Sequence, residues 1–215
     1  MVHNQEQKRS RGRPQVRSDE DTRSIVIEAA NLKFHDMGYA ATCISQIAQD
    51  AGISTKTLYR LFPAKADLFE SVVDNRIERF TLEADIGLAA DKGMRERFES
   101  VLEAYGRLTL HPDTIAINRL VVAEADRFPE IATAFYKRAI LGTARVIETL
   151  IRTHVGSGAI AVADIPAAAG MLRGMMAMEP QRAAMLGQRE PPTVEEIGQR
   201  ARMCTDIFLS GCLVR

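Results

Sequence analysis

Residues 41–69, ATCISQIAQDAGISTKTLYRLFPAKADLF, constrain the fold more than any other stretch of the chain. Ile44, Ile47, Ala48 and Ala51 recur at i, i+3, i+4 and i+7, the single apolar face of a short helix. Thr42 stands where an N-cap is expected, its hydroxyl available to an orphan N–H. Gly52 permits a positive φ in the turn that follows, and Ile53 fills the space between two helices. Ser54 is placed to cap the second helix. Pro63 is placed to stop it, because its ring biases Phe62 away from helical backbone.

The second helix, Thr55 to Phe62, is too short to persist alone, since isolated helices below about 12 residues are marginal in water. Leu58, Leu61 and Phe62 must therefore hold it against a core. Thr55, Lys56, Thr57, Tyr59 and Arg60 are left outside. Hydroxyls, cations and a phenol are the groups that bond phosphates and base edges. A short helix held rigidly by its neighbours, with such side chains outward, is the reading element of a helix-turn-helix.

These segments, together with VIEAANLKF before them and GYAAT between, resemble the DNA-binding domain of the TetR family of bacterial regulators over residues 22–69. The run TLYRLF followed by Lys65 and Leu68 is the most specific part. The resemblance implies an all-α chain of about nine helices: an N-terminal three-helix head and a larger helical domain for effector binding and dimerisation. Transferred by motif, Thr55, Lys56, Tyr59 and Lys65 make the main DNA contacts, with Thr42, Thr57 and Arg60 secondary. The segment HPDTIAINRLVVAEADRFPEIATAF also resembles the C-terminal domain of the AefR-like branch. Family members often have a polar cap where Ala64 stands, so helix four is expected to start less firmly here.

Bulk charge is silent, because 28 basic residues balance 28 acidic ones. Distribution is more telling. Through Arg17 there are five cations and one acid, a net of +4, so the remainder carries −4. Residues 1–18 are polar and aperiodic, and read as a disordered basic arm. Arg11-Gly12-Arg13 within it can lie in a narrow minor groove or act as a solvated tail adding non-specific affinity. Three cysteines without metal-ligand spacing fit a reducing cytoplasm. With no apolar leader or spanning run, neither secretion nor a membrane partner is expected.

The head is expected over residues 20–80, with the motif at 43–62. Its first helix runs from about Thr22 to Met37 and ends at Gly38. Tyr39 is expected in the core. Residues 81–215 form the larger domain. Helices are predicted at about 94–110, 113–127, 130–154, 167–178 and 194–212, the last opened by a capping box of Thr193 and Glu196.

Twofold dimers are usual for this class, on palindromic operators. Ala167, Gly170, Met171, Gly174 and Met178 on one helix, and Ile197, Ala201, Cys204, Ile207 and Phe208 on the next, offer two apolar faces. They serve either a homodimer interface, as in the family, or the subunit's own core. By the same resemblance the larger domain holds a cavity for a small-molecule effector. Phe98, Leu102, Tyr105, Asn118, Arg119, Val122, Met171 and Met175 lie on helices that would surround it. Arg119 and Glu124 are charged within an apolar stretch, and either recognise a polar ligand group or pair with other charges.

The expected function is thus a sequence-specific DNA-binding regulator acting in the cytoplasm, a repressor released by an effector. The rival reading is a thiol-redox regulator using Cys43 or Cys204 and Cys212. No cofactor, metal or enzymatic activity is expected: there is no phosphate loop, ligand cluster or nucleophile motif, and the four histidines are scattered.

Overall fold

Ser18 starts the first helix, its hydroxyl accepting the Asp21 N–H at 3.0 Å. Helix α1 (Asp19–Ala41) then carries Asp19, Glu20 and Asp21 in its first turn, where the helix dipole favours anions. The structure is a computed structural model that describes residues 17–88 and 92–213. Arg11 and Arg13 of the predicted arm lie outside the described residues, whereas Ser18 belongs to the fold as a cap.

Gly38 breaks α1 near its end, with φ 76° and ψ 174°. That backbone region is essentially confined to glycine. The expected stop at Gly38 is therefore a sharp bend, after which Tyr39 to Ala41 complete the element. Thr42 is not the cap of the next helix. Its hydroxyl donates back to Gly38 O at 2.6 Å and lies 3.1 Å from Lys33 O, and the residue is only 3% exposed. The N-cap position falls to Cys43, which makes no side-chain capping bond.

Helices α2 (Ile44–Asp50), α3 (Thr55–Leu61) and α4 (Lys65–Gly87) follow. Ala64 has no side-chain acceptor, but Asp67 reaches back to accept the Ala64 N–H at 2.9 Å, which replaces half of the missing cap. The larger domain holds α5 (Met94–Thr109), α6 (Pro112–Glu124), α7 (Pro129–Phe135), α8 (Leu141–Gly156), α9 (Ile165–Met185) and α10 (Val194–Cys212). A single π turn, Tyr136–Ile140, joins α7 to α8, so the predicted 130–154 helix is one rod with a bulge in it. Counted that way, nine rods are described. Helix α9 runs further than predicted, through Pro180 to Met185. The described residues contain no strand, only one isolated antiparallel bridge between Ile160 and Leu213.

Two apolar cores organise these helices. The first joins Val26, Phe34, Ile47, Leu58, Phe62 and Phe69 of the head, yet also takes Ile117, Leu120, Val121 and Ile131 from α6 and α7. The second joins Phe80, Phe98, Leu102, Ile147, Leu150, Leu172 and Met176. Helix α4 contributes to both, so a boundary at residue 80 falls inside a rigid helix. Head and body are coupled by shared burial rather than by a linker.

Candidate nucleic-acid interface

The turn between α2 and α3 is built as its residues require. Gly52 takes φ 66°, and the Ile53 N–H reaches Ala48 O at 2.9 Å, satisfying a carbonyl at the end of α2. Ser54 caps α3 by accepting the Thr57 N–H at 3.1 Å, and its hydroxyl lies 2.8 Å from that of Thr57. Leu58, Leu61 and Phe62 are buried. Thr55, Lys56, Tyr59 and Arg60 are exposed, and Thr57 is half-buried. Lys56 and Tyr59 share one side of α3, three residues apart.

Two of the cations are already engaged. Arg60 makes a bidentate pair with Asp19, both N–O distances 2.7 Å, and each group strengthens the charge of the other. Lys65 places its ammonium 4.4 Å from the centroid of the Tyr39 ring and 3.4 Å from Ala40 O. Burial pulls the Lys65 pKa down, against attraction from Cys43 and Glu124. Thr42, buried and bonded internally, is the one predicted contact that the head withholds from the surface.

Tyr39 is a core residue, as expected. Its ring packs on Phe34, Phe69 and Phe128 at centroid distances of 5.6, 5.7 and 5.1 Å. Burial pushes its phenol up to about 12, with Glu130, Asp67 and Glu124 adding to the shift. The Phe128 contact ties the end of α1 to the corner between α6 and α7.

Glu124 makes the same connection through hydrogen bonds. Its carboxylate accepts the Tyr39 N–H at 2.9 Å and the Ala40 N–H at 2.8 Å. The open choice for Glu124 thus resolves to structure: the last residue of α6 holds the bend that leads into the helix-turn-helix. At the other end of α6, Asp113 pairs with Arg76 of α4 at 2.6 Å, and Arg76 also bonds Asn31 of α1 at 3.1 Å. Helix α6 is thereby fixed to the head at both ends.

A small cavity of about 70 Å³ lies among α4, α5, α6, α9 and the π turn. Of the eight predicted effector residues, Tyr105 and Asn118 line it. Phe98 and Leu102 are fully buried in the second core, and Met175 packs against that core. Val122 and Met171 point outward, 72% and 70% exposed. Arg119 caps α9, donating to Met185 O at 2.7 Å and to Ala184 O. A helix's presence beside a cavity does not say which of its faces turns inward. Thr114 and Arg173, absent from the prediction, do line the cavity. Arg173, on α9, has the same pattern as Arg119 on α6, a charge in an apolar run.

The proposed dimer faces also divide. Ile197, Ala201 and Cys204 are buried within the subunit, and Phe208 packs on Phe98 at 5.5 Å, so these four close the chain's own core. Ala167, Gly170, Met171, Met178 and Ile207 remain exposed, Gly174 is half-buried, and Met203 joins them on the surface.

The thiol alternative finds no support. Burial pushes the Cys204 and Cys212 thiols up, away from the reactive thiolate. Eight residues on one helix separate them by about 12 Å, beyond disulfide reach. Among the described residues no cluster of His, Cys, Asp or Glu is arranged to hold a metal ion, and no helix is long and apolar enough to cross a membrane.

Fold and surface together define a helix-turn-helix DNA-binding protein whose head is wedged onto a larger helical body. Residues 26–72 match the bacterial regulatory proteins of the tetR family, and residues 96–211 match the AefR-like transcriptional repressor C-terminal domain. The chain belongs to the TetR family, whose members are DNA-binding regulators rather than enzymes. Among curated proteins it is similar to the repressor ComR of Escherichia coli, 33% identical over 98 residues, 46% of this chain and 43% of ComR. That match spans under half the relative's length. Among solved structures, a TetR-family regulator from Mesorhizobium loti superposes with TM-score 0.80 at 23% identity, covering 93% of this chain and all of that one. The flavonoid-responsive regulator FrrA superposes with TM-score 0.72 at 28% identity, covering 91% and 99%.

Proposed function

We propose that this chain is a sequence-specific transcriptional repressor, working in the cytoplasm as a homodimer on a palindromic operator and released by a small molecule bound in the larger domain. One observation carries the reading. Helix α6 lines the cavity with Thr114, Ile117 and Asn118, and its last residue, Glu124, clamps the bend that sets the helix-turn-helix. A ligand that displaces α6 therefore moves the reading head. For release, the ligand must bind the displaced arrangement more tightly than the clamped one, since equal affinity for both shifts nothing. FrrA, 28% identical, is flavonoid-responsive, which supports a small-molecule effector here.

Thr55, Lys56 and Tyr59 are the contacts of α3 that the free protein leaves open, with Lys65 at the start of α4 and Arg60 once it exchanges Asp19 for phosphate. Arg11 and Arg13, outside the described residues, add affinity either in the minor groove or as a solvated basic tail. The dimer uses the outward stripe of α9, Ala167, Gly170, Met171, Gly174 and Met178, with Met203 and Ile207 of α10. A Cβ built on Gly170 or Gly174 meets nothing within 4 Å, as an outward face requires. Two tests apply: sedimentation at micromolar concentration, where a monomer sinks the dimer, and anisotropy titration of DNA from upstream of the chain's own gene. Binding no tighter than to unrelated DNA of equal length would remove autoregulation.

A further inference from the structure

Arg173 is the one charged residue in the run Ala167 to Met178. The residue lines the cavity, and its Nε is buried without a hydrogen-bond partner. Among the described residues no carboxylate lies within ion-pair distance of it; its one close electronic neighbour is the Tyr105 ring, 5.8 Å from the guanidinium carbon. Thr114, 9% exposed, lines the same cavity, and its buried hydroxyl is also unpartnered. The other cation in the wall, Arg76, is already satisfied by Asp113 and Asn31. Ile77, Ile117, Phe135 and Ile140 make the remaining wall largely apolar.

Arginine keeps its charge inside a protein. A half-buried cation with no counter-ion and a buried, unbonded Nε is costly, and an unsatisfied buried hydroxyl in the same wall adds to that cost. Apolar walls with one cation and one hydroxyl are complementary to a molecule that is apolar at one end and anionic at the other. We propose that the cavity binds a small organic carboxylate, its anion paired with Arg173 and hydrogen-bonded by Thr114, its apolar body against the isoleucines and Phe135. This rests on reading the cavity as the effector site and names the effector's chemical class. At about 70 Å³ the cavity is smaller than the ~150 Å³ that admits benzene, so a single ring or a short chain enters only as α6 shifts outward, the displacement that effector release requires.

The test uses the full chain without DNA. Thermal shift and calorimetric titration compare benzoate, phenylacetate, cinnamate and hexanoate with their carboxamides. At least one carboxylate should bind and outrank its amide. Arg173→Met should weaken that carboxylate about ten- to a hundredfold, the loss expected of a charge-assisted bond, and leave the amide unchanged. Arg173→Lys should restore part of the preference. Arg173→Met should fold at least as stably as the wild type, since it replaces an unpaired cation with an apolar chain. No carboxylate binding better than its amide, or undiminished binding to Arg173→Met, overturns the proposal. A second arm adds operator DNA. A carboxylate that binds through Arg173 but leaves DNA affinity unchanged keeps this site and removes effector release. A molecule that releases DNA while ignoring Arg173 keeps effector release and removes this site.

Discussion

Gly38→Ala attacks the joint between head and body, and its cost follows from two geometric facts. The residue has φ 76° and ψ 174°, a region where a side chain is strained by about 1–3 kcal/mol. A Cβ there would stand 2.9 Å from Glu124 Oε1. A free glutamate tip would swing away, but this one is held by the Tyr39 and Ala40 N–H groups. Moving it breaks two charge-assisted hydrogen bonds. Because Glu124 is half-exposed and Ala40 reaches water, their loss is taken as about 1–2 kcal/mol in total rather than the full value for buried groups. The sum is about 3 kcal/mol, or a fall in Tm of roughly 6–12 °C for a chain of this size. Urea unfolding at fixed protein concentration measures it. Glu124→Ala alone should cost only the clamp, and the double variant should cost no more than Gly38→Ala, because the bond is lost only once. A Gly38→Ala variant within about 0.5 kcal/mol of wild type, or strict additivity in the double variant, would refute the reasoning.

Three further outcomes are expected. Tyr59→Phe should weaken operator and random DNA alike, as a phosphate contact does; a changed preferred sequence would transfer Tyr59 to base reading. Arg60→Ala should flatten the slope of log K against log salt by about 0.9, one phosphate contact fewer; an unchanged slope would keep Arg60 off the DNA. The Tyr39 phenol is raised from 10.0 to about 12, so its contribution is complete below pH 10 and is lost as pH rises through the folded-state value. Urea midpoints of the wild type should therefore fall more steeply than those of Tyr39→Phe between about pH 10 and 12; parallel curves would deny the shift.

Local patterns carried the head and lost their grip in the body. Gly52, Ser54 and Pro63 each act through backbone rules that span only a few residues, and each does in the fold what its sequence position predicts. Tyr39 was legible for the same reason, lying beside a helix-ending glycine and an apolar face. Thr42 departs from its predicted capping role because its hydroxyl bonds backward, to Lys33 and Gly38, across a bend whose dihedrals no sequence pattern specifies. The body's helices were found, but which side of each faces inward depends on how the helices pack around one another. That is why Ile197, Ala201 and Cys204, which periodicity marks as an apolar face, close the subunit's own core, while Met171 and Met178 of α9 stand exposed. Arg119 and Arg173 look alike in sequence. One meets the carbonyl end of α9 and the other faces a cavity, a distinction made by contacts between residues some 65 apart.

The central claim is that α3 reads a defined sequence as half of a twofold pair. Selection of bound duplexes from a random-sequence pool by the purified chain tests it most directly, followed by anisotropy titration of the winner at physiological salt. The account predicts one enriched palindrome, its half-sites centred about 10 base pairs or a multiple of that apart, bound at least ~10³-fold more tightly than the starting pool. A pool that emerges unenriched, or an enriched site without dyad symmetry, would contradict it.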